Sequence, residues 1–157
     1  METADVLEKL CRTAGLALPG TVGVHLGVFA EPYLRAIYDG RKTVESRFSK
    51  NRIAPYGRIA PGDLVLVKRA AGPVEAVFTV GAVRQYRLQE TPLENLRAAY
   101  GAALCADEVF WRRKAESRYA VLLEICGLVR FVPFRVEKRG RAAWVMLRAP
   151  QPEKTGK

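Results

Sequence analysis

Between residues 64 and 80 apolar side chains recur at every second position, with Leu64 and Leu66 in one run and Val74, Ala76, Phe78 and Val80 in the next. A period of two belongs to strands that turn one face to a core, and two such runs around a short loop at 70–73 read as neighbouring walls of a barrel. Further strand patterns lie at 22–29, 43–48, 119–132 (interrupted at Gly127) and 143–147, and Pro61-Gly62 suits a type II turn before the run at 63–68. Lys138, Arg139, Gly140 and Arg141 read as a basic hairpin tip between the last two strands.

Helical spacing appears in four places. Val6, Leu7, Leu10, Cys11 and Ala14 form one apolar stripe, so residues 1–20 are expected to hold a helix packed on the domain. Leu34, Ile37 and Tyr38 form a second, with Pro32 in the first turn and Gly40 just past the end. Thr91 is expected to cap a third helix over 92–100, and Asp107 a fourth running to Ala115. Residues 49–60 lack periodicity and read as a mobile loop, and 150–157 as a disordered tail. Six or seven strands with three or four helices predict a single α+β domain over 21–149, a closed or nearly closed barrel of about six strands with three to four flanking helices.

The chain of 157 residues is long enough for one full core. No apolar run approaches the roughly 20 residues that span a bilayer, and the acidic start Met1-Glu2-Thr3-Ala4-Asp5 argues against a targeting signal. Cys11, Cys105 and Cys126 are odd in number and widely spaced, which fits small buried thiols in a reducing cytosol. A cytoplasmic protein with no membrane attachment is expected.

The net charge of +10 is uneven. Residues 1–109 carry 14 basic and 12 acidic side chains, whereas 110–157 carry 12 and 4. A second basic concentration spans 40–69, with eight cations against Glu45 and Asp63. Such excess suits a polyanion, because neutralising phosphates releases counterions. The preference for arginine over lysine suits planar phosphate and base contacts.

Catalytic options are few. The only histidine, His25, sits in the first strand, where a satisfied structural role is expected, and the cysteines have no ligand spacing. No metal site and no cofactor are therefore expected. Neither a phosphate-binding glycine loop nor a nucleophile elbow is present. That leaves lysine, glutamate and arginine, which are concentrated in the octet Gly40-Arg41-Lys42-Thr43-Val44-Glu45-Ser46-Arg47, with spacing G-x-K-x-x-E-x-R. Strand alternation puts Glu45 and Arg47 on one face, with Lys42 able to swing toward them from the turn. The octet is either an anion-handling site or a solvated ion pair on a surface strand.

This octet, the helix that precedes it from Ala30, and the run Ile59-Ala60-Pro61-Gly62-Asp63-Leu64-Val65 resemble the ASCH family of the PUA-like superfamily. The likeness covers residues 25–83 well. The segment 109–129, with Trp111, Lys114 and Tyr119, resembles the second half of such a domain less specifically.

The resemblance implies a PUA-like barrel with a cleft where the octet meets RNA or a nucleoside. Activities of the family include RNA binding, ribonuclease activity and hydrolysis of N4-acetylcytidine. In the last of these, a lysine at the position of Lys42 acts with a threonine at the position of Glu45. This chain keeps the lysine but carries a carboxylate that could serve only as a base for water.

RNA binding is the function expected, with Lys42, Arg47, Arg52, Tyr56, Arg58, Arg118, Arg139 and Arg141 as contacts. The alternative is a hydrolase of RNA or a modified nucleoside with Lys42 and Glu45 as the acid–base pair. Tyr56 and Tyr86 are candidate stacking platforms, and Trp111 and Trp144 candidate core residues.

Overall fold

The computed structural model describes residues 3–138 and 140–153. Arg139 and the end of the expected tail, 154–157, lie outside the described residues. The chain runs α1 (Thr3–Ala14), β1 (Val24–Phe29), α2 (Tyr33–Tyr38), β2 (Val44–Ser49), β3 (Leu64–Arg69), β4 (Val74–Arg87), α3 (Leu93–Leu104), α4 (Glu108–Arg113), β5 (Tyr119–Phe134) and β6 (Trp144–Arg148). The strands form one curled sheet in the order β2-β5-β4-β3-β1-β6, in which β1 and β3 are parallel and the other pairs antiparallel. This is an α+β half-barrel of six strands with four helices. No described helix is long and apolar enough to cross a membrane.

Three clusters of apolar side chains account for the layering. Phe29, Leu34, Val65, Val67, Phe78, Val121, Leu123 and Trp144 fill the hollow of the sheet. On its outer side, Val6 and Leu10 of α1 pack on Leu26, Leu66, Val77 and Leu147. Leu96 and Leu104 of α3, with Trp111 of α4, cover Ala120 and Leu122 on another part of the same outer side. Strand β3 is thus buried on both faces, which explains why Leu64–Val67 reads as a continuous apolar run as much as an alternating one. Trp111 and Trp144 are core residues, as their positions suggested.

Several boundaries differ from the sequence expectation. Strand β5 passes unbroken through Gly127, where shifts in register against β4 absorb the irregularity. The segment after β5 is no hairpin tip, because β6 crosses to the far side of the sheet and pairs with β1. Closure onto the preceding strand is the simpler expectation, but β6 takes its register from Val24–Gly27 of β1 instead. Helix α3 starts at Leu93, after Pro92, without a side-chain cap, so Thr91 does not cap it. Asp107 does cap α4, its Oδ1 accepting from Phe110 N at 2.8 Å. The loop at 49–60 is pinned by Ile59, Ala54 and Tyr56 packing on the barrel core. The three cysteines are half-buried and unpaired rather than fully buried.

His25 is completely buried and fully satisfied. Trp144 Nε1 can only donate, and it reaches His25 Nδ1 at 3.0 Å, so the ring proton sits on Nε2 and is donated to Asp63 Oδ2 at 2.9 Å. Asp63 also accepts from Gly23 N at 2.8 Å and Ala60 N at 3.1 Å. It ties β1 to the turn that opens β3. A Cβ on Gly23 would lie 2.8 Å from Asp63 Oδ2, so this contact requires glycine.

Burial lowers the His25 pKa from its ordinary 6.5, outweighing the opposing pull of Asp63. The unfolded chain takes up this proton first. The contribution of neutral His25 is therefore complete above about pH 6.5 and declines as pH falls from there toward the folded-state value. Equilibrium unfolding should show this acid limb in the parent and a weaker one in His25→Gln, which starts less stable at neutral pH. Identical limbs in both proteins would assign the acid sensitivity to other groups.

Candidate functional site

The octet is built by the junction of α2 and β2. Helix α2 ends at Tyr38, and the chain turns away at Gly40, whose φ of +76° is readily adopted only without a side chain. Lys42 and Thr43 then meet the end of α3: Thr43 N donates to Ala103 O at 3.0 Å, and Lys42 Nζ to Leu104 O at 3.1 Å. Lys42 thus supplies a cation to helix carbonyls that lack intrahelical partners. In β2, Val44 and Phe48 face the helices, leaving Glu45 and Arg47 on the opposite, inward face.

Lys42 is 3 % exposed and Glu45 6 %. The octet is therefore not a solvated surface pair. Nζ of Lys42 lies 3.7 Å from Glu45 Oε1 and 5.5 Å from the centre of the Tyr33 ring. Glu45 Oε1 accepts from Ser46 N at 2.7 Å, and Oε2 lies 3.6 Å from Arg47 Nη2. The carboxylate is held between two cations and a backbone donor, an arrangement that offsets the cost of burying it.

Arg47 is committed elsewhere as well. Its Nη2 donates to Val28 O at 2.9 Å and its Nη1 to Ala143 O at 3.2 Å. The guanidinium lies 4.8 Å from the Phe29 ring centre and 5.0 Å from that of Trp144. It therefore joins β2, at one edge of the sheet, to β1 and the start of β6 at the other.

A cleft of about 500 Å³ opens over this floor. Tyr33, Phe48 and Phe110 give it aromatic walls; Glu31, Asp107, Arg113 and Lys114 complete its polar lining. Burial raises the Tyr33 pKa above its ordinary 10.0, helped by Asp107 and Glu45 and opposed by Arg113, so the phenol stays neutral. Tyr33 and Lys114 were not among the predicted site residues. The position of Tyr33 at the start of the helix before the octet was the available signal. For Lys114, only its place beside Trp111 hinted at it.

The other predicted contacts among the described residues fall outside this cleft. Tyr56 meets the edge of Tyr119 at 5.1 Å, and the Arg52 guanidinium lies 5.5 Å over the same ring. Arg118 lines a separate hollow with Arg87, Ser117 and Tyr119. Arg58 and Arg141 are exposed. The Tyr86 hydroxyl bonds that of Tyr100 at 3.0 Å, and burial together with this bond pushes its pKa up to about 12. Tyr86 is part of the packing against α3. No cluster of three or more His, Cys, Asp or Glu side chains suited to a metal ion occurs among the described residues.

No family model and no curated protein matches the chain. Among solved structures, ASCH from Zymomonas mobilis aligns with a TM-score of 0.63 and 17% identity, covering 83% of this chain and 90% of its own. A serine-to-alanine variant of that protein aligns with a TM-score of 0.64 and 18% identity over 83% and 92%. A protein from Enterococcus faecalis of the DUF984 family model gives 0.52 and 12% over 82% and 89%. The fold of this chain is therefore the ASCH fold.

Removing one partner of a buried ion pair leaves the other uncompensated. Lys42→Met should cost about 3 kcal/mol in denaturant unfolding, because it strips Glu45 of a cation and leaves Leu104 O without its donor. Adding Glu45→Gln should cost less on the Lys42→Met background than alone. Additive losses would mean that the two side chains are not coupled.

Proposed function

We propose that this ASCH-fold chain binds RNA, taking an unstacked base into the octet cleft while exposed cations hold the strand outside. The observation that carries this reading is the aromatic-walled cleft of about 500 Å³ over the buried Lys42–Glu45 pair. Its volume falls within the range of small-ligand sites, and its walls suit stacking of a planar heterocycle. Glu45 and the Tyr33 hydroxyl supply hydrogen-bonding groups for a base edge. Outside the cleft, Arg52, Tyr56, Tyr119 and Arg118 interleave charge with aromatic faces, the combination that grips single strands without sequence preference. Arg47, with both terminal nitrogens engaged, shapes the floor more than it reaches for a phosphate.

A second reading, hydrolysis of RNA or a modified nucleoside, is favoured by one distance. Lys42 Nζ lies 3.7 Å from Glu45 Oε1 beneath the cleft, which places an acid and a base side by side.

Two sets of variants separate these readings. Changing Arg52, Arg118 and Arg141 to Gln should weaken binding to unrelated RNA sequences and reduce the salt slope by roughly one for each phosphate no longer neutralised. An unchanged slope would remove these residues from the RNA-binding surface. Glu45→Gln retains an acceptor for Ser46 N, so binding should largely survive. If the protein is a hydrolase, the same change should lower turnover roughly 10²–10⁴-fold.

A further inference from the structure

Lys114 has no role in the floor of the cleft, yet it lines it. It follows the last residue of α4 and is half-buried. Its ammonium lies 5.1 Å from the Phe110 ring centre and 5.6 Å from that of Phe48. Among the described residues it has neither a hydrogen-bond acceptor nor a carboxylate partner. The charged groups facing it are mostly of its own sign. Burial lowers its pKa from the ordinary lysine value, Arg47 and Arg113 lower it further, and only Glu45 opposes them. Glu45 is already flanked by Lys42 and Arg47.

A cation held among aromatic rings and beside two other cations, with no carboxylate paired to it among the described residues, is costly to bury. Aromatic faces compensate it only in part. An arriving anion would relieve both the lost hydration and the repulsion. Phe48, Phe110 and Tyr33 border the same cleft, so a planar group against these rings and an anion at Lys114 could belong to one ligand.

We infer that Lys114, with Arg113 beside it, seats a phosphate group of the ligand whose base enters the cleft. The recognised unit is then a nucleotide rather than a nucleoside. This inference rests on the nucleic-acid reading above and adds the phosphate position to it. Whether that phosphate is terminal, on a mononucleotide, or internal to a strand, the seat is the same.

The test compares the parent with Lys114→Met and Lys114→Arg, using inorganic phosphate, uridine, uridine 5′-monophosphate and a short oligouridylate as probes. Without ligand, Lys114→Met should melt at or above the parent temperature, because the unpartnered cation is gone. Inorganic phosphate should raise the melting temperature of the parent and of Lys114→Arg but not of Lys114→Met. The parent should prefer the monophosphate to uridine by roughly tenfold or more, a preference that Lys114→Met loses. A monophosphate that binds as tightly as the oligouridylate identifies a free nucleotide as the ligand, and a large advantage for the oligouridylate identifies a strand.

The inference is overturned if Lys114→Met responds to all three phosphate-bearing probes as the parent does, or if no probe binds the parent. Equal oligouridylate binding by parent and Lys114→Met would overturn the phosphate seat and leave RNA binding intact. A Lys114-dependent response to inorganic phosphate without oligouridylate binding would overturn RNA binding and leave the seat.

Discussion

The curled sheet has two free edges, and one side chain draws them together. Arg47 leaves β2 at one end of the strand order and donates to Val28 O and Ala143 O at the other. Backbone pairing stops at β2 and β6, so the half-barrel is completed by a guanidinium fork rather than by a sixth ladder. The geometry suits arginine: two donors at a fixed spacing reach two carbonyls on adjoining segments while the flat face rests on Phe29 and Trp144. A lysine could supply the charge but not the fork. Glu45 backs the guanidinium from behind, and Lys42 backs Glu45, so the cleft floor and the seam of the sheet are one chain of charges.

That chain ends at a helix. Lys42 holds the final carbonyl of α3, and Asp63 performs a similar task on the other side of β1 by gathering Gly23, His25 and Ala60. Both are buried ionisable residues whose partners come from loops or element ends. They stabilise the junctions between elements, which apolar burial alone leaves underdetermined.

Much of this was legible in the sequence. The octet declared itself through the spacing of Gly40, Lys42, Glu45 and Arg47, and the strand period correctly put Glu45 and Arg47 on one face. Their burial was not legible, because what covers them (α3, α4 and the start of β6) comes from residues far along the chain. The same limit explains the segment after β5. A basic turn between two strand patterns looks like a hairpin until the sheet order shows β6 paired with β1 at the opposite edge. Lys114 was noted only within the resembling segment and not as a site residue, since a lysine near the end of a short helix is ordinary, and its unusual surroundings arise only when Phe48 of β2 packs beside Phe110. Net charge was also a coarse guide. Of the cations in the basic C-terminal stretch, Arg130 stacks on Tyr38, Arg148 binds the Pro19 and Val22 carbonyls, and Arg112 pairs with Glu108.

The tether from Lys42 to the end of α3 bears on how such a motif persists through time. A lysine that only served a ligand would drift once the ligand was lost. This one also anchors a helix and neutralises a buried carboxylate, so selection for a folded domain alone would preserve it. The octet can therefore outlive any particular chemistry performed above it. Descendants of one ancestral fold could exchange substrates, or abandon catalysis altogether, with the spacing still intact. Divergence of function should accordingly be written in the walls and rim of the cleft, while its floor records common ancestry.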